Sequence, residues 1–145
     1  LEKDLKPTHG VYLDPVWNDE MFTFNSKSDP STLMEGLEKD GYHKTFVKWP
    51  DQRAIPLTDF EVLIEYCWKT ISMGILEIGC IGGHGRTGTL LSGMVLYHSY
   101  LIKQPLDFKS VLNIVRDKYC DQAVESKAQE DLLEEYAMLL GDKHE

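Results

Sequence analysis

A short apolar run, Gly74-Ile75-Leu76-Glu77-Ile78, passes through the glycine-rich stretch Gly79-Cys80-Ile81-Gly82-Gly83-His84-Gly85-Arg86-Thr87-Gly88-Thr89 into a second apolar run that ends near Ile102. The first run has the length and composition of a buried strand, the second of a helix. A strand feeding a helix through a tight glycine turn restricts the chain to α/β architecture. It also builds an anion cradle, with backbone N–H groups converging at the positive end of the helix dipole. Gly82, Gly83, Gly85 and Gly88 allow the close backbone approach that such a cradle needs.

This cradle holds a nucleophile. A thiol attacks well only as a thiolate, which helix N-termini and nearby cations favour. Cys80 has the amides of residues 81 to 86 and the guanidinium of Arg86, six positions on. A guanidinium binds two phosphoryl oxygens at once and keeps its charge at any working pH. Thr87 places a hydroxyl where it assists the departure of a thiolate. The combination points to attack on phosphorus. The bland alternative is a small core cysteine beside a structural turn. A nucleotide-binding P-loop does not fit, because Gly-Arg-Thr stands where Gly-Lys-Ser or Gly-Lys-Thr is required, at too short a spacing.

Phosphomonoester chemistry also needs a proton for the leaving oxygen. Trp49-Pro50-Asp51 ends a strand-like run, Tyr42 to Val47, and enters the loop Gln52-Arg53-Ala54-Ile55-Pro56. Asp51 is the candidate acid; its alternative is a turn residue after proline. Trp-Pro-Asp followed about thirty residues later by Cys-x5-Arg-Thr-Gly resembles the cysteine-dependent protein tyrosine phosphatase superfamily. Val115-Arg116-Asp117-Lys118-Tyr119 and Ala123-Val124-Glu125-Ser126-Lys127-Ala128-Gln129 resemble that family's approach to its glutamine-bearing loop and last helix. The resemblance covers residues 45 to 140 and is of the compact, dual-specificity-like kind.

It implies a metal-independent hydrolase without cofactor, working through a phosphocysteine intermediate. Cys80 attacks, and Arg86 holds the phosphoryl group with the loop residues Ile81, Gly82, Gly83, His84 and Gly85. Asp51 protonates the leaving oxygen and then activates water, Thr87 assists release, and Gln129 is the candidate for positioning that water. The substrate implied is a phosphorylated protein or peptide, carrying phosphotyrosine or also phosphoserine and phosphothreonine. A bell-shaped pH profile follows, with limbs from Cys80 and Asp51. Three departures stand out: Gly79 replaces the usual histidine before the cysteine, Pro56 falls five residues after Asp51 instead of four, and Glu125 replaces the first glutamine.

Other readings stay open. A non-protein phosphate, such as an inositol phosphate or an RNA 5′ end, would use His84 for a second anionic group; a solvent-facing His84 is the equal alternative. A binding module for phosphopeptides would be expected to have lost Cys80, Arg86 or Asp51. Sulfur transfer or arsenate handling has no need of the Trp-Pro-Asp acid. Cys80 and His84 lack the further ligands of a metal site. Lys48 and Arg53 either draw substrate to the acid loop or are solvated surface charges.

The 145 residues fit a single catalytic domain, with 42% hydrophobic and 27% charged residues. No apolar run reaches the roughly 18 residues of a membrane span, and no signal peptide is visible. The net charge of −9 disfavours nucleic acid and anionic bilayers as partners. Cys67, Cys80 and Cys120 show no paired spacing, which suits a reducing, cytoplasmic setting; Cys67 is expected to pack inside a helix, and Cys120 is a candidate oxidation partner for Cys80.

The fold class expected is α/β, a mostly parallel sheet flanked by helices. Strands are expected near Val11 to Leu13, Met21 to Phe24, Tyr42 to Val47 and Ile75 to Ile78. Asp29-Pro30 opens a helix to about Lys39, closed near Gly41. Thr58 and Glu61 form a capping box for a helix to about Ser72, with Phe60, Leu63, Ile64, Cys67, Trp68 and Ile71 inward. Further helices span Thr87 to Ile102, buried nearly all round, Asp107 to Lys118, and Ser126 to Leu140 with Leu132, Leu133, Tyr136, Leu139 and Leu140 inward.

Overall fold

A computed structural model of the chain describes residues 6–13, 34–39 (by their backbone), 42–50, 52–80 and 84–144. Its elements are β1 (His9–Tyr12), β2 (Met34–Lys39), β3 (Tyr42–Val47), α1 (Leu57–Ile71), β4 (Leu76–Gly79), α2 (Gly85–Leu101), α3 (Phe108–Lys118) and α4 (Lys127–Lys143). The sheet order is β2-β3-β1-β4. β1 runs parallel to both β3 and β4, and β2 pairs antiparallel with β3 at the edge. This is the expected mostly parallel α/β sheet. Helix α1 supplies the long crossover that a parallel return from β3 to β4 demands.

The segment before β3 corrects the sequence reading. Met34–Lys39 is a strand, not the end of a helix. Lys39 pairs with Tyr42, so two residues, Asp40 and Gly41, connect the strands. Asp-Gly between two strands is a hairpin signal, and it outweighs the helical propensity of Met34, Leu37, Glu38 and Lys39 once β3 offers its ladder. The strand expected at Met21 to Phe24 and the helix start at Asp29-Pro30 lie outside the described residues.

Helix α1 begins one residue before Thr58. Pro56 is its N-cap, without a side-chain cap bond, so Thr58 sits in the first turn and the expected capping box is not used. Pro56 reaches the helix with φ −56°, and its carbonyl accepts from the Phe60 N–H at 3.0 Å. Phe60, Leu63, Ile64 and Cys67 are buried as expected, whereas Trp68 is half-buried and Ile71 exposed, because α1 runs beyond its packing surface there. Caps at the other helices follow the sequence: Asp107 accepts from the Ser110 N–H at 2.7 Å, and Ser126 from the Gln129 N–H at 3.2 Å. In α4, Leu132, Leu133, Tyr136 and Leu140 are buried and Leu139 is half-buried.

Helix α2 packs against α1, α3 and α4. Its small residues set that closeness. A Cβ on Gly93 would lie 2.4 Å from the Ile64 Cδ1 and 2.6 Å from the Phe60 ring. Burial is less complete than expected: Leu91, Met94, Val95 and His98 open onto a cavity of about 370 Å³ bounded by Trp68, Ile114 and Tyr119. Among the described residues no helix is long and apolar enough to cross a membrane.

Candidate active site

Three parallel strands end at the same side of the sheet. Leu13 follows β1, Trp49 follows β3 and Cys80 follows β4. The C-terminal edge of a parallel sheet is where α/β folds gather their ligands. Gly79 is tied there through its carbonyl, which accepts from the Leu13 N–H at 2.8 Å.

Helix α2 starts at Gly85, so Arg86 and Thr87 occupy its first turn, two residues earlier than the apolar pattern suggests. That turn brings Thr87 Oγ1 to 2.9 Å from Cys80 Sγ. Both side chains are buried. Arg86 is 3% exposed, and its Nη1 donates to the Trp49 carbonyl at 2.9 Å and the Leu13 carbonyl at 3.1 Å. Desolvating a guanidinium is costly unless its N–H groups are engaged. The two carbonyls meet part of that need and fix the fork at the end of the sheet.

Asp51, Ile81, Gly82 and Gly83 lie outside the described residues. The Trp49 indole is buried and its Nε1 donates to the Arg53 carbonyl at 2.5 Å. The Arg53 N–H donates to the Pro50 carbonyl at 3.2 Å, and Gln52 adopts φ 58°.

Gln129 is fully buried at the start of α4. Its Oε1 accepts from the Glu125 N–H at 2.9 Å, and its Nε2 donates to the Arg53 carbonyl at 3.4 Å. It lies against the end of the glycine loop: a Cβ on Gly85 would sit 3.0 Å from Gln129 Oε1 and 3.1 Å from Glu125 Oε1. Gly88 is tighter still, 2.5 Å from the Ala123 Cβ by the same measure.

Two further residues enter: Tyr119, given no role by the sequence, and Cys120, expected only as an oxidation partner for Cys80. Tyr119, at the end of α3, forms a side-chain hydrogen bond with Thr87. Burial, then the proximity of Cys80 and Cys120, pushes its phenol above the ordinary value, while the Thr87 bond acts the other way. Cys120 has its Sγ 2.9 Å from His84 Nδ1. His84 is thus half-buried and engaged, not simply solvent-facing. All three cysteines are free. Lys48 is half-buried; Arg53 is exposed and meets the site through its carbonyl. Among the described residues no cluster of three or more His, Cys, Asp or Glu could hold a metal ion.

No protein-family model matches the chain. Among curated proteins it is similar to two uncharacterized proteins of Methanocaldococcus jannaschii: MJ0215, 42% identical over 92 residues, and MJECL20, 33% identical over 92 residues. Each match takes in 63% of this chain and 53% or 57% of the relative, so the matched region spans little more than half of either. Among solved structures, Tk-PTP in the active form aligns with a TM-score of 0.67 at 22% identity, covering 90% of this chain and 78% of that one. PTPMT1 in complex with PI(5)P aligns with a TM-score of 0.64 at 10% identity, covering 93% of this chain and 79% of that one. A protein tyrosine phosphatase of Trypanosoma cruzi, TcPTP1, aligns with a TM-score of 0.64 at 15% identity, covering 94% and 60%. The chain has the fold of the protein tyrosine phosphatases.

Proposed function

We propose that the chain is a single catalytic domain of a metal-independent phosphomonoester hydrolase, acting on phosphotyrosine in proteins or peptides, and on phosphoserine and phosphothreonine where the pocket admits them. The observation that carries this reading is the pairing of Cys80 Sγ with Thr87 Oγ1 at 2.9 Å, one turn into a helix whose Arg86 is anchored to the stem of the Trp-Pro-Asp loop.

The Cys80 thiolate attacks phosphorus in line with the leaving oxygen. Arg86 and the amides of residues 81 to 86 hold the equatorial oxygens and stabilise the charge that develops there. Asp51 gives its proton to the leaving oxygen, an effect of about 10²- to 10⁴-fold. The P–O bond breaks as the S–P bond forms, leaving phosphocysteine. Asp51, now ionised, takes a proton from water; the water attacks phosphorus, and phosphate and the thiolate separate. Thr87 stabilises the returning thiolate, and Tyr119 is hydrogen-bonded to Thr87.

The test is hydrolysis of phosphotyrosine, phosphoserine and phosphothreonine peptides by wild type and Cys80→Ser with EDTA present. EDTA-resistant turnover that vanishes in Cys80→Ser is expected. Turnover that survives the substitution ends this reading. A second reading, a phosphate on an inositol ring, draws on His84 at the end of the loop and on the likeness to PTPMT1, whose structure holds PI(5)P. It predicts hydrolysis of inositol phosphates in preference to peptides.

A further inference from the structure

The resemblance assigns Gln129 to the second chemical step, as the residue that orients water. Its surroundings argue for the first step. The side chain is fully buried, with its oxygen on the Glu125 N–H and its nitrogen on the Arg53 carbonyl. That carbonyl receives a second donor, the Trp49 indole. Trp49 is in turn held through its own carbonyl by Arg86. Trp49 and Arg53 bracket Asp51 in sequence, two residues away on either side. The acid loop is therefore pinned on both flanks of Asp51. One pin comes from the phosphate-binding arginine and the other from the start of α4.

We infer that Gln129 is a positioning residue for the acid loop: it holds the Arg53 carbonyl, together with the Trp49 indole, so that Asp51 is delivered to the leaving oxygen. This rests on the phosphatase reading above. The physical reason is geometric. A general acid must come within hydrogen-bond reach of the oxygen it protonates, and a misplacement of about 1 Å costs up to roughly 10²-fold. A turn closed by one N–H to carbonyl bond between Arg53 and Pro50 does not fix its own position against the core. Two donors on the outward carbonyl do. The same contact links the loop to Gly85, against which Gln129 and Glu125 are packed. Displacing the acid loop thus disturbs the end of the phosphate cradle as well.

The experiment compares wild type, Gln129→Met, Trp49→Phe and Asp51→Asn on aryl phosphates of rising leaving-group pKa, with steady-state and rapid-mixing kinetics across pH. Met removes the amide at similar volume. Phe removes the indole donor and leaves Gln129 in place, so the idea does not depend on one variant folding. Both are expected to lose about 10-fold in kcat/KM on the most basic leaving groups and less on the most acidic, part of the roughly 10²- to 10⁴-fold that a positioned acid contributes. Both should weaken the pH limb that Asp51→Asn abolishes. A burst of aryl alcohol in Gln129→Met, with unchanged dependence on the leaving group, would show slowed water attack and overturn the inference. So would a fall in thermal stability with kcat/KM unchanged. Absence of Cys80-dependent turnover in wild type defeats the underlying reading before any variant is compared.

Discussion

Cys80 and Cys67 are both buried, in adjoining regions of one core, yet their surroundings differ completely. Cys67 lies on the inner face of α1, and burial pushes its thiol up from an ordinary 9.0 to about 12. Cys80 lies at the end of a strand, before a helix N-terminus, with the Thr87 hydroxyl 2.9 Å from its sulfur. Burial among apolar side chains favours the neutral thiol. Cys80 instead has a hydroxyl from the first turn of a helix beside its sulfur, and both side chains sit where a parallel strand ends. The lesson is that exposure does not separate a structural cysteine from a candidate nucleophile here; the position at a strand end and the polar group beside the sulfur do.

The strongest way to break this comparison is to exchange both sulfurs for oxygen. Cys80→Ser should lower turnover by at least about 10⁴-fold, as removal of a nucleophile does, with little change in thermal stability. Cys67→Ser should leave kcat near wild type and cost about 1 to 3 kcal/mol, because a hydroxyl is buried among apolar neighbours. Loss of kcat in Cys67→Ser without loss of stability would erase the distinction.

Packing at two glycines of α2 gives a second test. Ala at Gly93 drives a methyl into Ile64 and Phe60 beside Cys67, and Ala at Gly88 drives one into Ala123 beside the candidate site. Each should cost about 1 to 3 kcal/mol by overpacking. Only Gly88→Ala should also depress kcat, since it displaces the turn that carries Arg86 and Thr87. Denaturant titration and steady-state kinetics on both variants decide this.

Alkaline pH sharpens the contrast from the Cys67 side. The folded thiol is protonated up to about 12, while the unfolded thiol ionises near 9.0. Stability is therefore complete below that lower value and falls as pH rises above it. Tyr12 and Tyr136, also pushed upward mainly by burial, add to the fall above about pH 10. Cys67→Ala should flatten the first part of this fall in unfolding free energies measured at stepped pH. The smallest effect is expected at Gly141, where a Cβ meets nothing closer than the Tyr100 hydroxyl at 3.5 Å. Gly141→Ala should stabilise α4 by about 0.5 to 1 kcal/mol and leave activity untouched.

Legibility in the sequence tracked the range of the physics. The strand at Tyr42–Val47 and the helix starts capped by Asp107 and Ser126 could be read directly, because alternation and capping act over a few residues. The Thr87 hydroxyl beside Cys80 was expected too, because a tight glycine turn joins the strand that ends there to the helix. The error at Met34–Lys39 arose where local propensity and long-range pairing disagree: a Leu-, Glu- and Lys-bearing segment looks helical until β3 supplies its ladder. Tyr119 and Cys120 had no readable signal as neighbours of Thr87 and His84, since phenols and thiols after a helix are common and only the fold brings these two to the loop.

By itself the sequence determined the α/β class and the strand and helix that flank the glycine-rich stretch, because those follow from periodicity over a few residues. Only the tertiary structure decided what holds the site residues. The Leu13 and Trp49 carbonyls on Arg86, and the Arg53 carbonyl shared by Trp49 and Gln129, are main-chain groups present at every residue. Their identity is invisible in composition. They become specific acceptors only when three parallel strands end side by side and α4 packs against the loop that follows β3.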